Sequence, residues 1–231
     1  MFACMHCKMS EIRKQSLTDI VHAKLKQRII AGQFTLGQKL NESTLAELFK
    51  VSKTPVHEAL LKLKVEGLVD ILPRSGTFVF SFSSKDLCDL ADTRIALEQG
   101  ALKFAYKNNP THFLAALSEN IAHSFDILKD NKLSEYLVMD QKFHEILFTV
   151  ADNPYLSAAY DTIFTKISAL RHRLDFTYEF IQISLNSHHR IYKAVMDDNT
   201  VLACDYLSQH INGAFTEESL RQLQGKTKHI S

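Results

Sequence analysis

From residue 84 onward, apolar side chains recur three and four positions apart, broken only by short polar stretches such as DNKLS and DDNT. That period puts them on one face of an α-helix. It predicts helices near 84–107, 111–130, 133–151, 155–176, 179–197 and 199–223, with Pro110 and Pro154 at first-turn positions, where a missing N–H costs little. Connections this short join antiparallel neighbours, so the stretch reads as an all-α antiparallel helical bundle.

The pattern before residue 80 is different. LTDIVHAKLKQRIIAG is an amphipathic helix closed by Gly32, and NESTLAELFKV is a shorter second one. SKTPVHEALLKLKVEGL is a third, with Thr54 expected to cap it, Pro55 suited to its first turn and Gly67 ending it. VDILPRSGTFVF then gives two short β-type runs around a Pro-Arg-Ser-Gly turn. Three helices followed by a hairpin make a winged helix-turn-helix. The expected architecture is mainly α: a tail at 1–14, a winged helix-turn-helix at 15–80, and a helical domain at 81–225.

Composition narrows the class. With 231 residues, 45% hydrophobic and 23% charged, the chain suits one large or two modest globular domains. No uninterrupted apolar run reaches membrane-spanning length and no basic-then-apolar leader opens the chain, so a cytoplasmic protein without a membrane partner is expected. Cys88 and Cys204 fall in helical patterns and read as buried free thiols, while Cys4 and Cys7 form a single C-x-x-C in the tail, without the second pair that a zinc framework needs. Residues 1–80 hold twelve Lys or Arg against seven Asp or Glu, whereas the remainder is slightly acidic. A basic first third points to a nucleic-acid or other anionic partner there. The residues placed to meet DNA are Ser52, Lys53, Thr54 and His57 at the start of the third helix, and Arg74 on the hairpin turn.

Several polar side chains fall on apolar stripes. Asp140 and His144 lie one turn apart among Tyr136, Leu137, Phe143 and Leu147. His189 lies with Leu185, Tyr192 and Met196, and His210 with Ala203, Leu207 and Ala214. Arg94 sits among Leu87, Leu90, Leu97 and Ala101. A single core histidine is most simply a hydrogen-bonded structural residue, but an ionised carboxylate facing a core needs a compensating partner. His188, turned away from His189 on the same helix, reads as a surface or supporting residue.

The stretch AGQFTLGQKLNESTLAELFKVSKTPVHEALLKLKVEGLVDILPRSGTFV resembles the DNA-binding domain of GntR-type bacterial transcription regulators. RIALE (94–98), DQKFH (140–144), HRIYKA (189–194) and SQHI (208–211) resemble the helical FCD domain of the FadR subfamily. The resemblance implies DNA contacts at Ser43, Ser52, Lys53, Thr54, His57, Arg74 and Gly76. It implies a metal site of Asp140, His144, His189 and His210, holding zinc, nickel or another divalent transition metal. The family usually has arginine where this chain has Lys53 and His57, and neither side chain reproduces arginine's bidentate fork.

The implied function is a ligand-responsive regulator, a repressor in most members, acting as a homodimer on near-palindromic double-stranded DNA. Its effector would be a small carboxylate, and Arg94 is either that carboxylate's clamp or a structural partner of Glu98. Two alternatives remain open on the sequence. One is a metal-dependent hydrolase or isomerase built on the bundle, and the other is a regulator for which the ion itself is the signal.

Overall fold

A computed structural model describes residues 16–130, 132–174 and 177–214. The C-x-x-C of the tail and the expected extension of the last helix to 223 lie outside them.

The first helix, α1 (Leu17–Ile30), starts on Ser16, whose hydroxyl accepts from the Asp19 amide, and buries Val21, Leu25 and Ile29 at four-residue spacing. It ends where Gly32 takes φ +74°, a conformation that side chains with a Cβ seldom adopt. Strand β1 (Lys39–Leu40) follows, then α2 (Glu42–Phe49), capped by Asn41, and α3 (Lys53–Val65). Ser52, not Thr54, holds the N-cap position of α3. Thr54 is one residue inside the helix, because Lys53 already has helical geometry. Pro55 is buried in the first turn, where proline's missing N–H is harmless.

The wing is a hairpin of β2 (Val69–Leu72) and β3 (Gly76–Val79), extended by β1 into an antiparallel sheet of order β1-β3-β2. Lys39 pairs with Phe78, and Leu72 with Gly76. Periodicity could not announce β1, since two residues carry no alternation. Arg74 at the hairpin tip has φ 64° and Gly76 has φ 114°. A Cβ at Gly76 would also stand 2.9 Å from Lys39 Cε.

The rest is helical: α4 (Ser84–Asn108), α5 (Pro110–Lys129), α6 (Leu133–Ala151), α7 (Pro154–Arg171), α8 (Tyr178–Met196) and α9 (described over Thr200–Ala214). Local chemistry sets their starts. Ser83 and Asp86 form a reciprocal capping box for α4. Asn109 and Asn153 cap α5 and α7 ahead of Pro110 and Pro154, and Thr177 caps α8. α7 stops at Arg171, several residues short of the expected 176. α4 packs on α6 and α9, α5 on α6 and α8, and α8 on α9. Cys204 is buried as expected, but Cys88 is exposed on α4.

α7 also packs on α1. Just past its end, Arg173 is buried and donates from Nη2 to the carbonyls of Ile29 (2.6 Å) and Phe34 (2.9 Å), and from Nη1 to Ala169 (2.7 Å). The last carbonyls of a helix have no partner within it, and a cation is favoured at that end. Burial pushes the guanidinium down to about 10, so it keeps its charge at neutral pH.

Candidate functional site

The central cluster is built from three helices. α6 supplies Asp140 and His144, one turn apart on the face that also buries Tyr136, Phe143 and Leu147. α8 supplies His188 and α9 supplies His210, and one ligand atom from each of the four residues lies within 4.8 Å of the others. His210 Nε2 is 3.2 Å from both His144 Nε2 and His188 Nε2, and His188 Nε2 is 3.5 Å from Asp140 Oδ1.

The expectation for α8 is corrected here: the inward histidine is His188, not His189. The buried stripe of this helix runs Ile181, Ser184, Leu185, His188, Ile191 and Val195. Met196, which made His189 look inward, is 51% exposed. His189 is half-buried against Phe125 and Tyr192. The His188 ring lies flat on Phe143, with centroids 3.8 Å apart and an interplanar angle of 5°.

α4 contributes a second tier. Glu98 and Arg94 are buried, with Arg94 Nε donating to Glu98 Oε1 at 2.6 Å. Glu98 Oε2 accepts from His144 Nδ1 at 2.6 Å, and Tyr160 Oη reaches Oε1 at 3.3 Å. The sequence suggested Glu98 only as a partner for Arg94. Its contact with His144, 46 residues away, left no local signal.

Asp140 has protein partners as well. Arg171 Nη2 lies 2.8 Å from Oδ2, and the Ser184 hydroxyl donates to Oδ1 at 3.1 Å. Burial would raise the Asp140 carboxyl, but the Arg171 guanidinium beside it holds it well below the usual carboxylate range. Burial drives the histidines the other way, reinforced for His144 by the arginine charges and for His210 by its neighbour His188. His144 and His210 fall well below 6.5, and His188 falls to about 3. At neutral pH all three rings are neutral.

Those protonation states leave the cluster incomplete. A carboxylate only accepts, so His144 carries its proton on Nδ1 and presents a bare Nε2. The single proton or lone pair on His210 Nε2 serves one of its two Nε2 neighbours well, not both. The spacing suits a cation instead. With metal–nitrogen bonds of about 2.1 Å, ligands at a right angle stand about 3.0 Å apart and tetrahedral ligands about 3.4 Å.

A cavity of about 220 Å³ adjoins the cluster, with Arg94, Asp140, Arg171 and His210 in its wall. Arg94 thus faces both Glu98 and open space, and its Nη2 has no hydrogen-bond partner among the described residues.

At the other end of the chain, Ser52, Lys53, Thr54 and His57 are exposed around the start of α3, and Ser43 is half-buried in α2. No side chain caps the α3 amides, which leaves them available to a phosphate oxygen. His57 Nδ1 is 2.8 Å from Glu42 Oε1, so it is tied to α2. Arg74 is exposed at the tip of the wing, two residues before Gly76.

Comparison with known proteins gives the same division. Residues 17–79 match the family model described as bacterial regulatory proteins, gntR family, and residues 89–213 match the FCD domain. The chain is 28% identical over 191 residues to a protein of Bacillus subtilis (strain 168) named as the uncharacterized HTH-type transcriptional regulator YdhC, covering 82% of this chain and 85% of that one. It is 27% identical over 195 residues to the gluconate operon transcriptional repressor of the same organism, covering 82% and 79%. In structure it resembles a GntR transcriptional regulator from Rhodococcus sp. RHA1, with TM-score 0.70 and 23% identity over 89% of this chain and 98% of that one. No helix among the described residues is long and apolar enough to cross a membrane. The relatives and the two matched domains belong to regulators, which removes the hydrolase or isomerase alternative. The chain belongs to the GntR family of bacterial transcription regulators: it is a DNA-binding regulator with the FCD-type domain of the FadR subfamily, not an enzyme.

Proposed function

We propose that the chain is a metal-containing, effector-responsive repressor whose bundle holds one divalent ion on Asp140, His144, His188 and His210. The observation that carries this reading is the convergence of three neutral imidazole nitrogens and one carboxylate oxygen on a single point. Glu98 supports it, because a carboxylate on the far nitrogen fixes a ligand histidine's tautomer and raises its basicity. Nitrogen-rich donors with one carboxylate suit zinc, nickel or another transition metal. Such an ion supplies a Lewis-acidic anchor for an anionic effector. Arg94 and Arg171 flank that anchor and supply N–H donors around it.

The N-terminal domain, residues 15–80, would set α3 into the major groove, with Lys53 and Thr54 at its leading edge and Arg74 on the wing reaching the neighbouring backbone. Two copies related by a two-fold axis would read a near-palindromic operator. The repressor assignment draws on the gluconate operon repressor among the relatives. Effector binding would act by favouring one relative placement of the DNA-binding domains over another.

The test is a native purification without chelators, followed by elemental analysis and selection of bound genomic fragments. One equivalent of a transition metal per chain, and a selected fragment whose affinity changes on adding metal or acid, are the expected results. A full chain that takes up no metal on reconstitution and selects no fragment would overturn the proposal.

A further inference from the structure

We propose that the effector is a monocarboxylate with an apolar body of about six to eight carbons, not a polyhydroxylated acid; this deepens the reading above and rests on it. The charged side chains of the cavity next to the cluster stand together. Arg94 and Arg171 line it with Asp140 and His210. Much of the remaining wall is apolar: Leu87, Leu137, Ile167, Leu170 and Ile183.

Arg94 is the group that asks for a ligand. It is 1% exposed, Glu98 takes its Nε, and its Nη2 has no partner among the described residues although Arg94 lines the cavity. A buried donor left unpaired costs about 1–3 kcal/mol, and a carboxylate oxygen relieves that cost. Arg171 spends one nitrogen on Asp140 and lines the same space. The Arg94–Glu98 and Arg171–Asp140 pairs balance each other in charge. A divalent cation held there would add positive charge that these two pairs do not cancel, and an anion entering beside it would do so.

The rest of the wall offers few partners to a row of hydroxyls. Ser184 spends its proton on Asp140, Ser187 on the Ile183 carbonyl and Tyr136 on Ser184, leaving Gln209 as the main donor outside the charged group. Each buried hydroxyl without a partner costs about 1–3 kcal/mol, so a sugar acid is disfavoured by several such terms. Size agrees with this class. A cavity of about 150 Å³ accommodates benzene, and about 220 Å³ here adds room for a carboxylate and a methylene or two.

The experiment titrates full-length protein, zinc-loaded and metal-free, with hexanoate, phenylacetate, phenylacetamide and gluconate. Calorimetry and thermal melting are the readouts. Phenylacetate or hexanoate should saturate the zinc-loaded protein and raise its melting temperature, with the amide and gluconate at least tenfold weaker. Arg171→Gln should weaken the apolar acids by at least tenfold. Ile183→Glu places a like charge in the partly exposed part of the wall; it should do the same while metal content and helicity stay unchanged. Gluconate binding as tightly as the apolar acids would overturn the proposal. So would a zinc-induced rise in melting temperature with no further change on adding either apolar acid, and that result leaves the metal reading standing. If zinc itself gives no shift, the metal reading fails separately. The metal-free titration then decides the ligand class by the same comparison, and no response to the apolar acids overturns it.

Discussion

His144 donates from Nδ1 to Glu98 Oε2 across 2.6 Å, joining α6 to α4 in the centre of the bundle. The contact turns the bare Nε2 of His144 toward His210, and the same carboxylate neutralises Arg94 through its other oxygen. Glu98 thus orients a histidine of the proposed metal cluster and balances a cavity-lining arginine at once. Glu98→Gln keeps the size but puts a donor where an acceptor stood. Metal affinity should fall by about 10–100-fold, the usual effect of losing such an orienting partner. Chelator competition on the folded variant measures it. Unchanged affinity would mean that His144 needs no help from α4.

The assignment of the α8 ligand is tested by a neighbouring pair. His188→Ala should lower metal occupancy sharply, whereas His189→Ala should leave one equivalent bound. Elemental analysis after dialysis against a weak chelator distinguishes them. Loss of metal from His189→Ala with retention in His188→Ala would restore the outward-turned reading of α8.

Metal-free protein should lose stability as pH falls below the ordinary histidine range. His144, His188 and His210 all have depressed folded values, so the unfolded chain takes up protons that the folded chain refuses. Stability is therefore fully present above about 6.5 and declines toward the folded values, by about 1.4 kcal/mol per pH unit for each ring that stays neutral. Asp140 adds its own loss only lower, below the ordinary aspartate range. Melting temperatures after chelation should drop between pH 7.5 and pH 5. A flat profile over that interval would show that the folded cluster accepts protons freely.

DNA binding should weaken steeply with salt, because cationic contacts release counterions from the backbone. Lys53→Ala should lower affinity about equally for all sequences and reduce the salt slope by about one, the signature of a phosphate contact. His57→Ala should have a smaller effect, since that ring is tied to Glu42. Filter binding or anisotropy at several salt concentrations reads both. A change in base preference with an unchanged slope would place Lys53 on a base edge instead.

Where local chemistry is strong, the fold was legible in the chain. Capping residues ahead of Pro110 and Pro154, and glycines at 32 and 67, bound the helices within a residue or two. Asp140 and His144 were legible because an i, i+4 pair on one helix keeps its face whatever surrounds it. α8 was not, because His188 and His189 are about 100° apart and both have apolar neighbours at helical spacing. Ser184, buried between Tyr136 and Asp140 and bonded to both, broke the true stripe, while Met196 completed a false one. The Glu98–His144 and Arg171–Asp140 pairs and the cavity join distant parts of the chain, and no periodicity encodes them.

Arg171 and Arg173 stand two residues apart at the end of α7, one bonded to Asp140 and the other to the carbonyls of Ile29 at the end of α1 and of Phe34 just beyond it. The chain between them is too short to absorb a displacement. Backbone geometry at the mouth of the ligand cavity and at the root of the DNA-binding domain is therefore set at one joint. A shift in Arg171 would be passed on through Arg173 or strain its bonds of 2.6–2.9 Å to Ile29 and Phe34. A displacement of Arg171 would therefore be felt first at Arg173, which makes this short stretch the place where the two halves of the molecule would share a mechanical boundary condition.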